Sequence, residues 1–85
     1  SGRFKISQNP QNEHKIIDLS GAASSKAWYR IFNSGEYDIV VVGLAELGKE
    51  QSFDFEVGSS VKQVFVKSKS DAEPIEGIYE FLGRG

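Results

Sequence analysis

Between Ser52 and Val57 the chain alternates without a break: Phe53, Phe55 and Val57 point one way, Asp54 and Glu56 the other. A period of two marks a strand with one buried and one wet face. The pattern recurs along the chain. Lys26–Phe32 puts Trp28, Arg30 and Phe32 on one face and Tyr29 and Ile31 on the other. Val61–Ser68 sets Val64 and Val66 against Gln63, Phe65 and Lys67, and an apolar Phe65 opposite the valines predicts a place near the middle of a sheet. Ile75–Leu82, Tyr37–Gly43 and His14–Leu19 complete the set. No long amphipathic helix intervenes, which disfavours a parallel βαβ sheet.

Turn residues separate these segments. Asn33-Ser34-Gly35-Glu36 lies between two alternating runs and predicts a β-hairpin, with Gly35 taking the positive φ. Gly58-Ser59-Ser60 reads as a tight turn, Ser20–Ser25 as a wide loop or single helical turn, and Lys69–Pro74 as a charged loop. Leu44–Gln51 has helix formers, but Gly48 stops any helix within a turn, so a loop is expected there. Six strands result, or seven if residues 4–7 pair. The expected fold is all-β: a small antiparallel β-sandwich, immunoglobulin-like or jelly-roll-like, with a small β-barrel as the alternative. Residues 1–13, with the polar run Gln8–Glu13 and the Asn9-Pro10 turn signal, read as a flexible N-terminal arm carrying an edge strand at 4–7. Residues 14–83 form the single sandwich domain.

Two stretches carry a resemblance. Asn33-Ser34-Gly35 between two strands, and Phe53-x-Phe55-x-Val57-Gly58-Ser59-Ser60-Val61 between two more, resemble small immunoglobulin-like modules over about half of the chain. The Cys-Trp-Cys core of antibody domains is missing, since the chain has no Cys. The resemblance implies an architecture and no activity.

Composition narrows the function classes. At 85 residues and 9.4 kDa there is room for one domain. Absence of Cys removes disulfides and thiolate nucleophiles, and one His leaves no basis for the usual zinc sites. A net charge of −2 at pH 7 argues against a phosphate-binding surface, so no nucleic-acid partner is expected. No stretch approaches the roughly 20 apolar residues that cross a bilayer as a helix, so no membrane insertion is expected. The charge is unevenly spread. Residues 1–35 hold five basic and two acidic residues, and the remainder carries a surplus of five negative charges.

Catalytic constellations are weak. Eleven Ser have only His14 as a possible base, and His14 reads as an ordinary strand-start residue. Asp54 and Glu56, two apart on one strand face, have a spacing that glycoside hydrolysis could use, but the wet face of an amphipathic strand explains them. The acidic run from Glu36 to Glu56 lacks the loop pattern of a calcium site and reads as a solvated face. No catalytic residue, metal site or cofactor is therefore assigned. Aromatics offer the remaining chemistry. Trp28, Arg30 and Tyr37 are the candidate ligand-binding residues, because rings with polar tips beside a cation suit stacked ligands. The competing reading packs Trp28 with Phe32 in the core.

The sequence thus predicts a non-enzymatic structural or protein-interaction module. It would act through its surface, by self-association or with a protein partner, in an extracellular, cell-surface or virus-particle assembly. A carbohydrate-binding module using exposed aromatics is the alternative.

Overall fold

The computed structural model describes residues 1–21, 26–58 and 60–84. Eight strands follow in order: β1 (Gly2–Ile6), β2 (His14–Asp18), β3 (Ala27–Asn33), β4 (Ile39–Val41), β5 (Ala45–Leu47), β6 (Ser52–Val57), β7 (Gln63–Ser68) and β8 (Ile75–Arg84). They form two antiparallel four-stranded sheets, ordered β1-β8-β3-β6 and β2-β7-β4-β5. The pairing is nested: β1 with β8, β2 with β7, β3 with β6, and β4 with β5. A long folded hairpin rolled so that successive strand pairs fall in alternate sheets gives this order, which is the jelly-roll sandwich rather than the immunoglobulin arrangement. Among the described residues there are eight strands rather than six or seven.

The core lies between the sheets. Ile31, Val57 and Ile75 from the first sheet meet Ile39, Val41, Val64 and Val66 from the second, all of them fully buried. Each such side chain contributes about 1.5–3 kcal/mol by leaving water. The alternation at Ser52–Val57 is realised with Phe55 and Val57 buried and Asp54 exposed. β7 is central in its sheet, flanked by β2 and β4; Val64 and Val66 are buried, and Phe65 on the opposite face is half-buried.

Within residues 1–13, where an arm with an edge strand at 4–7 was expected, Gly2–Ile6 forms the edge strand β1 of the first sheet. Phe4 joins the core, and its ring lies over Gly77, its cross-strand partner, just as the Tyr79 ring lies over Gly2. Glycine at these places leaves room for a ring against the neighbouring strand, since a Cβ on Gly77 would come within 2.9 Å of the Phe32 carbonyl oxygen. In the loop that follows, the Pro10 carbonyl accepts a 2.8 Å bond from Ser68 N–H.

Three local expectations are corrected. The segment Asn33–Asp38 does not close a hairpin, because β3 pairs with β6 and β8 while β4 pairs with β5 and β7. It carries the chain from one sheet to the other. Gly35 does not have positive φ; a Cβ there would sit tightly against Glu76 Cβ, at 3.0 Å. Leu44–Gln51 is not simply a loop, since Ala45–Leu47 pairs with β4, with Ile39 opposite Leu47, after a turn at Gly43 (φ 75°). Cross-strand burial of Leu47 overrides its helix propensity. Residues 22–25 and Ser59, where a wide loop and part of a tight turn were expected, lie outside the described residues.

Candidate functional site

Trp28 and Phe32 do not fill the core. The inward face of β3 belongs to Ala27, Tyr29, Ile31 and Asn33, so Trp28, Arg30 and Phe32 face outward. The reason is visible across the sheet. Arg30 stands opposite Asp54 on one side and Glu80 on the other, a charged row that only the solvent side can hold. Arg30 grips Asp54 with both arms of its fork, Nε to Oδ1 at 2.7 Å and Nη2 to Oδ2 at 2.9 Å. This bond holds the Asp54 carboxyl below its usual range and, aided by the charges of Asp54 and Glu80, raises the Arg30 guanidinium further. A guanidinium so committed offers little to an anionic ligand.

Trp28 is 42% exposed. Beside it, β8 bulges where its register to β3 shifts: Tyr29 faces Phe81, but Trp28 faces Gly83, leaving Leu82 as the extra residue. Phe81 and Leu82 are also exposed, and Phe81 meets Tyr29 edge to face at 5.7 Å. Among the described residues three of the four large exposed hydrophobics therefore lie at one end of the first sheet, with Phe81 on the inner side beside Tyr29 and Trp28 on the outer side.

The fourth is Tyr37, at the far end of β3, where the chain crosses between sheets. Its position is set by Asn33, a fully buried side chain with every polar atom bonded. Asn33 Nδ2 donates to the Tyr37 carbonyl at 2.9 Å and to the Leu47 carbonyl at 3.0 Å, while Oδ1 accepts from Gly35 N–H at 3.0 Å. The last bond is an Asx-turn. Tyr37 lines a cleft of about 290 Å³ with Lys5, Ser34, Glu36, Pro74 and Glu76. A smaller recess of about 240 Å³ shares Lys5, Ser34 and Glu76 and reaches Arg3. A separate open recess of about 590 Å³ sits at the end of the second sheet, against Val42, Leu44, Val61 and Phe65.

Of the candidate trio, then, the structure brings Trp28 and Arg30 onto one face and sets Tyr37 apart. Lys5, Ser34 and Glu76 of the cleft were not singled out from the sequence, because their nearness depends on β1 pairing with β8, which no local pattern announces.

Three of the six carboxylates in the acidic run stand in ion pairs. Glu36 meets Lys49 at 2.9 Å, Glu46 meets Lys69 at 3.0 Å, and Asp54 meets Arg30. Hydrogen bonds to these carboxylates raise the Lys49 and Lys69 ammonium groups. Among the described residues no group of three or more His, Asp or Glu side chains is placed to hold a metal ion. His14 opens β2 and donates from Nε2 to the Asn9 carbonyl at 2.9 Å.

The fold and these surfaces define a small jelly-roll sandwich with exposed Trp28 and Leu82 at one end and the cleft beside Tyr37 at the other. No family model, curated protein sequence or solved structure matches the chain.

Proposed function

We propose that the chain is a non-enzymatic structural or protein-interaction module working through its surface, as part of a larger extracellular, cell-surface or virion assembly. The observation that carries this reading is the exposed Trp28 ring on the outer face of β3, beside the β8 bulge that holds exposed Leu82. Water-facing rings of this size cost free energy in an isolated domain and gain it when covered. Glu56 stands opposite Trp28 in the register, and Arg30, opposite Glu80, shares the Trp28 face, so the complementary surface is apolar with a margin of both charges. The fold alone selects no activity, since jelly rolls serve capsid, lectin and other roles. A photoreactive phenylalanine analogue in place of Trp28 tests the reading in the native setting. A discrete protein adduct, lost with Leu82→Glu, supports it. Irradiation without any adduct overturns it.

A second reading, a carbohydrate-binding module, is favoured by the cleft at Tyr37. There one exposed ring adjoins Lys5, Ser34, Glu36 and Glu76, a mixture of donors and acceptors suited to hydroxyls. Amide shifts of Gly35 and Glu76 on adding oligosaccharides, abolished by Tyr37→Ala, would support it. Unchanged spectra across a panel of sugars would dismiss it.

A further inference from the structure

We propose that copies of this chain join head to tail, the β6 edge of one pairing antiparallel with the β1 edge of the next, with Arg3 opposite Glu56 and Lys5 opposite Asp54. The proposal rests on the reading as an interaction module and names a second copy as one partner.

The first sheet has two open edges, β1 and β6. Their backbone polarity follows from three bonds on β3. Asn33 N–H donates to Gln51 O and Asn33 O accepts from Glu50 N–H, so Asn33 faces the β6 side; Ser34 N–H donates to Glu76 O on the β8 side. Bonding directions alternate along an antiparallel strand. Odd residues of β3 thus bond toward β6 and even ones toward β8. Carried through the registers, Phe53, Phe55 and Val57 bond inward to β3, while Gly2, Phe4 and Ile6 bond inward to β8. Among the described residues the outward N–H and C=O groups at the edges that pair with no other strand are those of Ser52, Asp54 and Glu56 on β6 and of Arg3 and Lys5 on β1.

The same residues carry the charge. Arg3 and Lys5 stand on the outer face of β1, and Asp54 and Glu56 on the outer face of β6. One edge is basic and the other acidic. Three alternations make β1 and β6 run in opposite directions, so a second copy laid beside the first in the same sense meets β6 antiparallel with its β1. In the proposed register both cations face both carboxylates, in hydrogen-bonded positions and on one side of the continued sheet. On the inner side, half-buried Ile6 meets half-buried Phe53 and the core continues across the joint. Among the described residues Arg3, Lys5 and Glu56 have no ion-pair partner; Asp54 is held by Arg30 but retains acceptor sites for a second donor.

Like charges disfavour the symmetric alternatives. Pairing β1 with β1 opposes Arg3 and Lys5, and pairing β6 with β6 opposes Asp54 and Glu56. The head-to-tail joint leaves one edge free at each end and so builds a ring or a filament. Charged edges also serve as guards against aggregation, and that reading makes the opposite prediction, a monomer under all conditions.

Sedimentation velocity on the full chain separates the two. The weight-average mass should rise with concentration at low salt and fall back at high salt. Arg3→Glu and Glu56→Lys should each weaken association about tenfold. An equimolar mixture of the two variants should restore it, because each then presents an edge complementary to the other. Circular dichroism establishes that both variants fold, and the salt response of the unmodified chain needs no variant. Amide exchange should slow with concentration at Lys5 and Glu56 and not at Phe55. A chain that stays monomeric to millimolar concentration at low salt, or associates equally well with either reversal, overturns the proposal. Association lost with Leu82→Glu but indifferent to both edge reversals would place self-contact at Trp28 and Leu82, overturning the edge joint while leaving the interaction module standing.

Discussion

Asn33 Nδ2 lies 2.9 Å from the carbonyl oxygen of Tyr37, and this bond joins the buried end of β3 to the exposed ring at the lip of the cleft. The same amide holds the Leu47 carbonyl, so one side chain fastens the crossing between sheets to the end of β5. Asn33→Ala would leave two carbonyls and the Gly35 amide without this partner. Losing bonds to buried groups costs about 1–3 kcal/mol each where water cannot replace them, so a loss of about 2–4 kcal/mol is expected in urea unfolding. Asn33→Asp should be worse near neutral pH, where a carboxylate would face two carbonyls. Its folded-state pKa would be raised, so its stability should improve as pH falls through that pKa.

Gly77→Ala should destabilise by about 2 kcal/mol or more, since its methyl would press on the Phe4 ring and the Phe32 carbonyl. Phe4→Ala alone should cost about 3–5 kcal/mol by leaving a cavity. The double variant should lose less than the sum, because removing the ring relieves part of the crowding. Additive losses in denaturant titrations would show that Phe4 does not lie over Gly77.

The Arg30–Asp54 pair gives a pH signature. The Asp54 pKa is lowered in the folded chain, so its contribution is present above the ordinary carboxylate pKa and is lost as pH falls through the folded value. Asp18 follows the same sign, held low by the Ser20 hydroxyl, by Lys15 and by the Ser20 amide. Carboxyl-carbon NMR titration should place both midpoints below the usual range. Arg30→Gln should return Asp54 toward that range and leave Asp18 unmoved.

Glu50 holds φ at 63°, a left-handed conformation that costs a non-glycine residue about 1–2 kcal/mol. Its N–H donates to the Asn33 carbonyl, which keeps it there. Glu50→Gly should therefore raise the melting temperature or leave it unchanged, against the usual effect of adding glycine. A clear fall would show that the turn needs the Glu50 side chain.

Alternation made most of the strands legible. Ser52–Val57 and Val61–Ser68 declared their faces through Phe55, Val57, Val64 and Val66. It could not say which sheet a strand joins. Asn33-Ser34-Gly35 has true turn chemistry, an Asx-turn, but such a turn serves a hairpin and a crossing between sheets equally well. Nor does alternation choose the inner face when both are aromatic. Trp28 and Phe32 outweigh Tyr29 and Ile31 in volume, yet Arg30 shares their side, and a cation matched to Asp54 and Glu80 fixes that side in water. The short β5 escaped notice because Ala45-Glu46-Leu47 favours a helix until Ile39 is placed opposite Leu47.

Iodide quenching of the single tryptophan tests the surface account most directly. With Trp28 on the outer face, dilute folded protein should show solvent-exposed indole emission that iodide quenches efficiently. Quenching should weaken when a partner covers this ring. A blue-shifted emission resistant to iodide in the dilute monomer would place the indole in the core and contradict the account.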